Sequence, residues 1–152
     1  MTNIIPHPAF LLNLPFLIAM PNTQKLIKEI KTEVLKWDNT SAGVHKMGGI
    51  GFYYNEREFA HIHWNGDLDI IFGSKLTSEL LKNNHAQFHK YVPTIAVTFK
   101  LKNISETPSA IFLLRLAYLK AIKKASVDSN EMFNLEMELG KLPFNSSIIG
   151  LI

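Results

Sequence analysis

The sequence predicts an α+β domain, a mainly antiparallel five-stranded sheet with helices packed on one face, in the order α-β-β-β-α-β-β-α-α. Three observations carry that expectation. Apolar residues recur at three- and four-residue spacing near residues 26–37 and 107–125. Between those stretches the period drops to two. The period-two runs are separated by short polar turns, which bring consecutive strands together antiparallel.

At 152 residues, 47% of them apolar and 19% charged, the chain is long enough to bury a core as one domain. We divide it into an apolar N-terminal arm (1–21), an α+β core (22–125) and a C-terminal helix with an apolar tail (126–152). Without cysteine it has neither disulfides nor thiolate metal sites. The net charge of +3 comes from scattered basic residues, whereas nucleic-acid binding needs a concentrated basic face.

Residues 4–20 are strongly apolar but lack the basic n-region and cleavage pattern of a secretion signal. Pro6, Pro8 and Pro15 interrupt them and Pro21 follows, so a self-satisfied spanning helix is disfavoured. The expectation is an arm packed on the domain or on a second subunit of a homodimer. Contact with a membrane surface is the alternative, and the expected compartment is the cytoplasm.

Asn22 or Thr23 is expected to cap a helix whose Leu26, Ile27, Ile30, Val34 and Trp37 share one face. The run 38–43 ends it in a turn. Gly48-Gly49 allows a bulge or a close backbone approach before Ile50, Phe52 and Tyr54 begin to alternate. In the next strand Ala60, Ile62 and Trp64 lie opposite Phe59, His61 and His63. A two-residue Asn65-Gly66 turn would pair Ile62 with Asp69 and mix the faces. A three-residue loop, Asn65-Gly66-Asp67, pairs Trp64 with Leu68 and Ile62 with Ile70 and sets His63 across from Asp69, and burial selects it. Ser74 is expected to cap a helix through Leu76, Leu80 and Leu81. Two further strands follow, with Ala86, Phe88 and Val92 apolar in the first and Ile95, Val97, Phe99 and Leu101 in the second. Thr107-Pro108 opens a long helix to about Ala125, and a short helix is expected over residues 131–139.

The run His45-Lys46-Met47-Gly48-Gly49, then residues 57–63 ending in His61-Ile62-His63, then Gly66-Asp67-Leu68-Asp69, resembles the luciferase-domain family, a widespread group without an assigned activity. The resemblance continues through residues 75–84, His89, Pro93, Val97-Thr98-Phe99 and residues 113–118, and covers roughly 22–124. Ala96 stands where the family usually carries tryptophan, which implies a wider pocket if that tryptophan lines one. The sequence contains no G-x-G-x-x-G nucleotide fingerprint, and light-emitting chemistry is not carried over to it.

Four of the six histidines, His45, His61, His63 and His89, fall in the segments that carry the resemblance. His-x-His on a strand puts two imidazoles about 7 Å apart on one face, a spacing that suits one metal ion. The candidate site is His61, His63, Asp69 and His89. Its possible metal ligands are His61, His63 and His89 for zinc, iron or manganese, with Asp69 as a further ligand or as an orienting group. An acid/base pocket without metal and a hydrogen-bonded polar sheet face are the other readings. Arg57 and Glu58 are expected to be solvated or paired with each other, and Tyr118 to be core with a satisfied hydroxyl. Two functions stay open: a domain binding a small molecule in a histidine-lined pocket, acting as an acid/base or metal-assisted enzyme, or a non-catalytic module that dimerises through its apolar termini.

Overall fold

The computed structural model describes residues 21–125 and 129–152. Helix α1 (Pro21–Val34) begins on its proline, whose fixed φ and missing N–H suit the first helical position. Asn22 and Thr23 therefore lie inside the first turn and do not cap it. Strands β1 (Thr40–Val44), β2 (Ile50–Tyr54), β3 (Arg57–Ile62) and β4 (Asp67–Ile71) follow, then α2 (Ser74–Lys82), β5 (Gln87–Phe88) and β6 (Ala96–Lys100). A short 3-10 turn (Ile104–Glu106) leads into α3 (Thr107–Ala125), α4 (Ser129–Leu139) and α5 (Ser146–Ile149). The fold is α+β, as the periodicity predicts.

The sheet has six strands, not five, in the order β1-β2-β3-β4-β6-β5, every neighbouring pair antiparallel. The extra strand, β1, occupies residues the sequence reading assigns to a turn. It is an edge strand whose Val44 is exposed, so no buried alternation marks it. At the other edge β5 is only two residues long and Phe88 is exposed, so the expected apolar face over 86–92 does not form.

Inward residues Phe52, Ala60, Ile62, Leu68, Ile70 and Val97 of the sheet form one buried cluster with Ile27 and Ile30 of α1, Leu76 and Leu80 of α2, Leu113 and Leu114 of α3, and Leu135 and Leu139 of α4. The helices thus cover one face of the sheet and leave the other to polar groups. The apolar C-terminal tail joins the same cluster through Ile148, with Leu142, Phe144 and Ile152 packed against it. Asn145 caps α5 by accepting the Ile148 N–H and also donates to Asn83 beside α2. The tail is therefore folded onto its own core, and the N-terminal arm lies outside the described residues. Ser74 starts α2 without capping it. The cap is Gly73, at φ +81°.

Two local features reset the central strands. The β3–β4 loop has three residues, as expected, but they are Trp64-Asn65-Gly66. The Gly66 N–H donates to the His63 carbonyl and the His63 N–H to the Asp67 carbonyl. This is a turn closed by a glycine at positive φ, which places Gly66 as the third loop residue. The register is consequently two residues away from the expected one: His61 faces Asp69 and Ile62 faces Leu68. A shift of two preserves both faces, so burial could not have chosen between the registers. The second feature is a β-bulge between β2 and β3, where Phe52 pairs with Ala60 but Tyr53 pairs with Glu58. Phe59 is the additional residue. It turns into the core against Phe52 and Tyr118, not onto the histidine face as the alternation suggests.

Gly66 has φ +90°, and a Cβ there would lie 2.3 Å from the Leu101 carbonyl oxygen. Its own carbonyl accepts the Leu101 N–H. Gly66→Ala is expected to lower the unfolding free energy by about 2 kcal/mol or more in urea titration, through backbone strain and collision together.

Candidate functional site

Because the core claims every second residue, the remaining alternate positions form a row on the open face: Gly51, His61, Asp69, Thr98 and Gln87, each paired with the next across five strands. Asp69 sits in the middle of that row between Leu68 and Ile70, and is itself almost fully buried. A carboxylate in that position needs donors. The Thr98 hydroxyl donates to Oδ1 at 2.5 Å. Three imidazoles meet the other oxygen: Oδ2 is 3.2 Å from His63 Nε2, 3.5 Å from His89 Nε2 and 3.7 Å from His61 Nε2. The four residues singled out from the sequence are thus gathered round one oxygen atom. His61, not His63, is the direct cross-strand partner of Asp69.

The far nitrogens of the rings settle much of their protonation. His63 Nδ1 is 2.9 Å from the Gly48 carbonyl, which can only accept, so this nitrogen carries hydrogen. That contact exists because Gly49, at φ +113°, lets the β1–β2 loop lie against the end of β3; a Cβ on Gly49 would be 2.1 Å from the Ile62 carbonyl oxygen. The Gly48-Gly49 pair thus makes the close approach expected of it. His61 Nδ1 is 2.8 Å from Glu58 Oε1 and likewise donates. His89 is the reverse: its Nδ1 accepts the N–H groups of Tyr91 and Val92, both at 3.1 Å, so its Nε2 carries the hydrogen and donates towards Asp69.

A second layer lies behind His61. His45 stacks on it with ring centroids 3.9 Å apart and planes 8° from parallel. Its Nδ1 accepts the Met47 N–H, and its Nε2 is 3.4 Å from Glu58 Oε1. Glu58 therefore bridges two imidazoles while staying partly solvated, and it does not pair with Arg57. In a regular strand it would share the core-facing side of Ala60 and Ile62, and the bulge turns it onto the histidine face. Glu58 and His45 are site residues that alternation did not single out, whereas Thr98 lies on the polar side that alternation gives it and donates to Asp69. His45 was marked only by the resemblance.

These contacts drive the titrating groups apart. Burial opposes the charged form of His61, but the Asp69 and Glu58 carboxylates outweigh it and hold its pKa up at about 9. Burial, reinforced by the His61 charge, pushes His45 down to about 4, leaving a neutral ring stacked on a cationic one. Burial would raise Asp69, yet hydrogen bonds from His61, His63 and Thr98 hold it well below the usual carboxylate range. Glu58 is held low in the same way by His61 and His45 against the cost of burial.

A cavity of about 460 Å³ opens beside this cluster, lined by residues of β3, β4 and the C-terminal half of α3. His61, Glu58 and Asp69 reach its wall, while His63 and His89 do not line it. Ala96 is fully buried opposite Ile71 and does not line it either, so its small size does not widen this cavity. The Tyr118 hydroxyl donates to the Asp38 carbonyl at 3.0 Å, the satisfied core role expected of it.

Among the described residues, two groups could hold a metal ion: His61, His63 and Asp69, and His45, Glu58 and His61. No helix of the described residues is long and apolar enough to cross a membrane.

Since the folded-state pKa of His61 lies above its ordinary value, its stabilising contribution is complete below about pH 6.5 and is lost as the pH rises through about 9. In chelator-treated protein, stability should fall across that window by on the order of 2 kcal/mol more than in His61→Gln, as measured by urea titration at stepped pH. His45, with its depressed value, acts at the other end: its neutral ring costs nothing above about pH 6.5, and stability is lost as the pH falls towards 4.

Residues 56–117 match the family model described as the luciferase domain. The matched segment contains His61, His63, Asp69, His89 and Thr98, whereas His45 and Gly48, which complete the site, precede it. No curated protein and no solved structure gives a significant match to the chain. Over the matched segment, fewer than half of its residues, the chain is similar to the luciferase domain.

Proposed function

We propose that the protein binds a small molecule in the cavity beside His61 and acts on it with the help of a divalent metal ion held by His61 Nε2, His63 Nε2 and Asp69 Oδ2. The observation that carries this reading is the locking of both Nδ1–H groups, on Glu58 and on the Gly48 carbonyl. Such outer hydrogen bonds are what orient histidine ligands and direct Nε2 lone pairs at a metal. The separations of 3.2 and 3.7 Å between Asp69 Oδ2 and the two Nε2 atoms suit ligands that share one ion at bond lengths of about 2.0–2.2 Å. Asp69 takes the place of His89 in the ligand set expected from the sequence, because His89 spends its Nδ1 lone pair on two backbone donors and presents N–H to the carboxylate.

Two imidazoles and one carboxylate leave coordination positions open, a donor set found with zinc and non-haem iron(II) and compatible with manganese. A bound ion would supply Lewis acidity towards a carbonyl or a water. Around it, Thr98 and His89 fix the Asp69 carboxylate, and Glu58 accepts from His61 Nδ1 and can take up or return that proton as charge develops. Without metal the same pair offers a second reading. His61 is cationic at neutral pH and lines the cavity, so it is placed to donate a proton to a bound ligand.

Untagged, chelator-treated protein titrated calorimetrically with Zn²⁺, Mn²⁺ and, under anaerobic conditions, Fe²⁺ should take up one equivalent of at least one ion. His61→Ala and His63→Ala should each weaken binding at least 100-fold, and His89→Ala by roughly tenfold, as expected for an outer-shell partner. If none of the ions binds, the metal reading is wrong and proton transfer by His61 is the surviving one.

A further inference from the structure

The cavity holds more positive charge than its own carboxylates balance. Arg57, Lys120 and Lys124 line it along with His61. Its carboxylates, Glu58 and Asp69, are both turned to imidazoles. None of the three long cations has a carboxylate within ion-pair distance among the described residues. Lys120 and Lys124 are four residues apart on α3 and so project to the same side of the helix. Ala117, Ala121 and Ala125 repeat at the same spacing beside them and also line the cavity, where they expose little but methyl groups and helix surface. Phe59 and Ile71 extend this apolar wall from the sheet.

A ligand that meets these surfaces has two parts. An anionic group finds three cations among the lining residues, and an apolar body covers alanine and aromatic surface. The remainder of the molecule then faces His61 and Asp69. A neutral apolar molecule would leave the cations without a partner, and a small inorganic anion would leave the apolar wall wet. We propose that the cavity takes small organic carboxylates with an aryl or alkyl body, the carboxylate held by Arg57, Lys120 and Lys124. The inference rests on the reading of this cavity as the small-molecule site and names the class of molecule it accepts.

Calorimetric titration of chelator-treated protein with 3-phenylpropionate, its neutral amide and acetate tests the inference in the absence of any metal a carboxylate could bind. The acid is expected to bind at least tenfold more tightly than either the amide or acetate. The double variant Lys120→Gln, Lys124→Gln should lose the preference for acid over amide, and Ala121→Trp, which fills the cavity, should abolish binding of the acid. Both variants are checked for an unchanged thermal transition, and the single variant Lys124→Gln, at an exposed position, serves if the double variant melts early. Equal affinity for acid and amide, failure of the acid to bind, or a preference that survives loss of the lysines would each overturn the proposal. Zinc titration of the same samples separates the two readings. Zinc bound with no acid preference leaves the metal site standing and removes this inference, and the reverse result removes the metal site alone.

Discussion

A carboxylate set into the middle of an antiparallel sheet, flanked by buried leucine and isoleucine, must collect its hydrogen bonds from protein. Asp69 obtains them from separate parts of the chain: Thr98 on β6, His61 on β3, His63 at the end of β3, and His89 in the segment between β5 and β6. Leaving such a charge uncompensated would cost several kcal/mol, so the strands and loops that deliver those groups are tied to one another through it. The tight β1–β2 turn, closed by glycines at positive φ, brings the Gly48 carbonyl to His63. The sheet therefore keeps its stability and its chemistry on opposite faces, an apolar cluster under the helices and an ionised network on the other side.

Within that network, acids and imidazoles alternate: Asp69, His61, Glu58, His45. Two stacked histidines end about five pKa units apart, at about 9 and about 4, because one lies between two carboxylates and the other lies deeper and against a cation. Environments that separate like groups in this way are the usual source of distinct acid and base roles at one site. The separation depends on the β-bulge. Without the additional residue Phe59, Glu58 would point into the core, His61 would lose one carboxylate, and His45 would have no acceptor for its Nε2 hydrogen.

The cavity gives the network an outlet. Only part of the cluster, His61, Glu58 and Asp69, reaches it, while His63 and His89 meet the same carboxylate oxygen without lining the cavity. The helix completing the cavity, α3, is the one whose apolar residues also anchor the sheet, so that wall of the cavity is held by the core and not by a loop.

Much of this was legible in the residue pattern, and the limits have identifiable causes. Three- and four-residue spacing marked α1 and α3 because each buries one long stripe, and strict alternation marked β3, β4 and β6 because one face of each is dry. The same alternation put His61, His63 and Asp69 on one side, since that conclusion needs only the period of a strand. Tertiary structure decided the rest. The hairpin register turned on which residue occupies the positive-φ position of the loop, and a two-residue shift is invisible to burial. The edge strand β1 is held by backbone hydrogen bonds to its neighbour and carries no apolar signature, and β5 forms over only two residues of the run whose alternation marked it. The bulge that turns Glu58 onto the site, and the loops that bring His45 and His89 to it, are set by contacts between residues far apart in sequence. The sequence by itself determined which face carries the chemistry, through alternation. Which atoms meet there was decided only when the strands were paired.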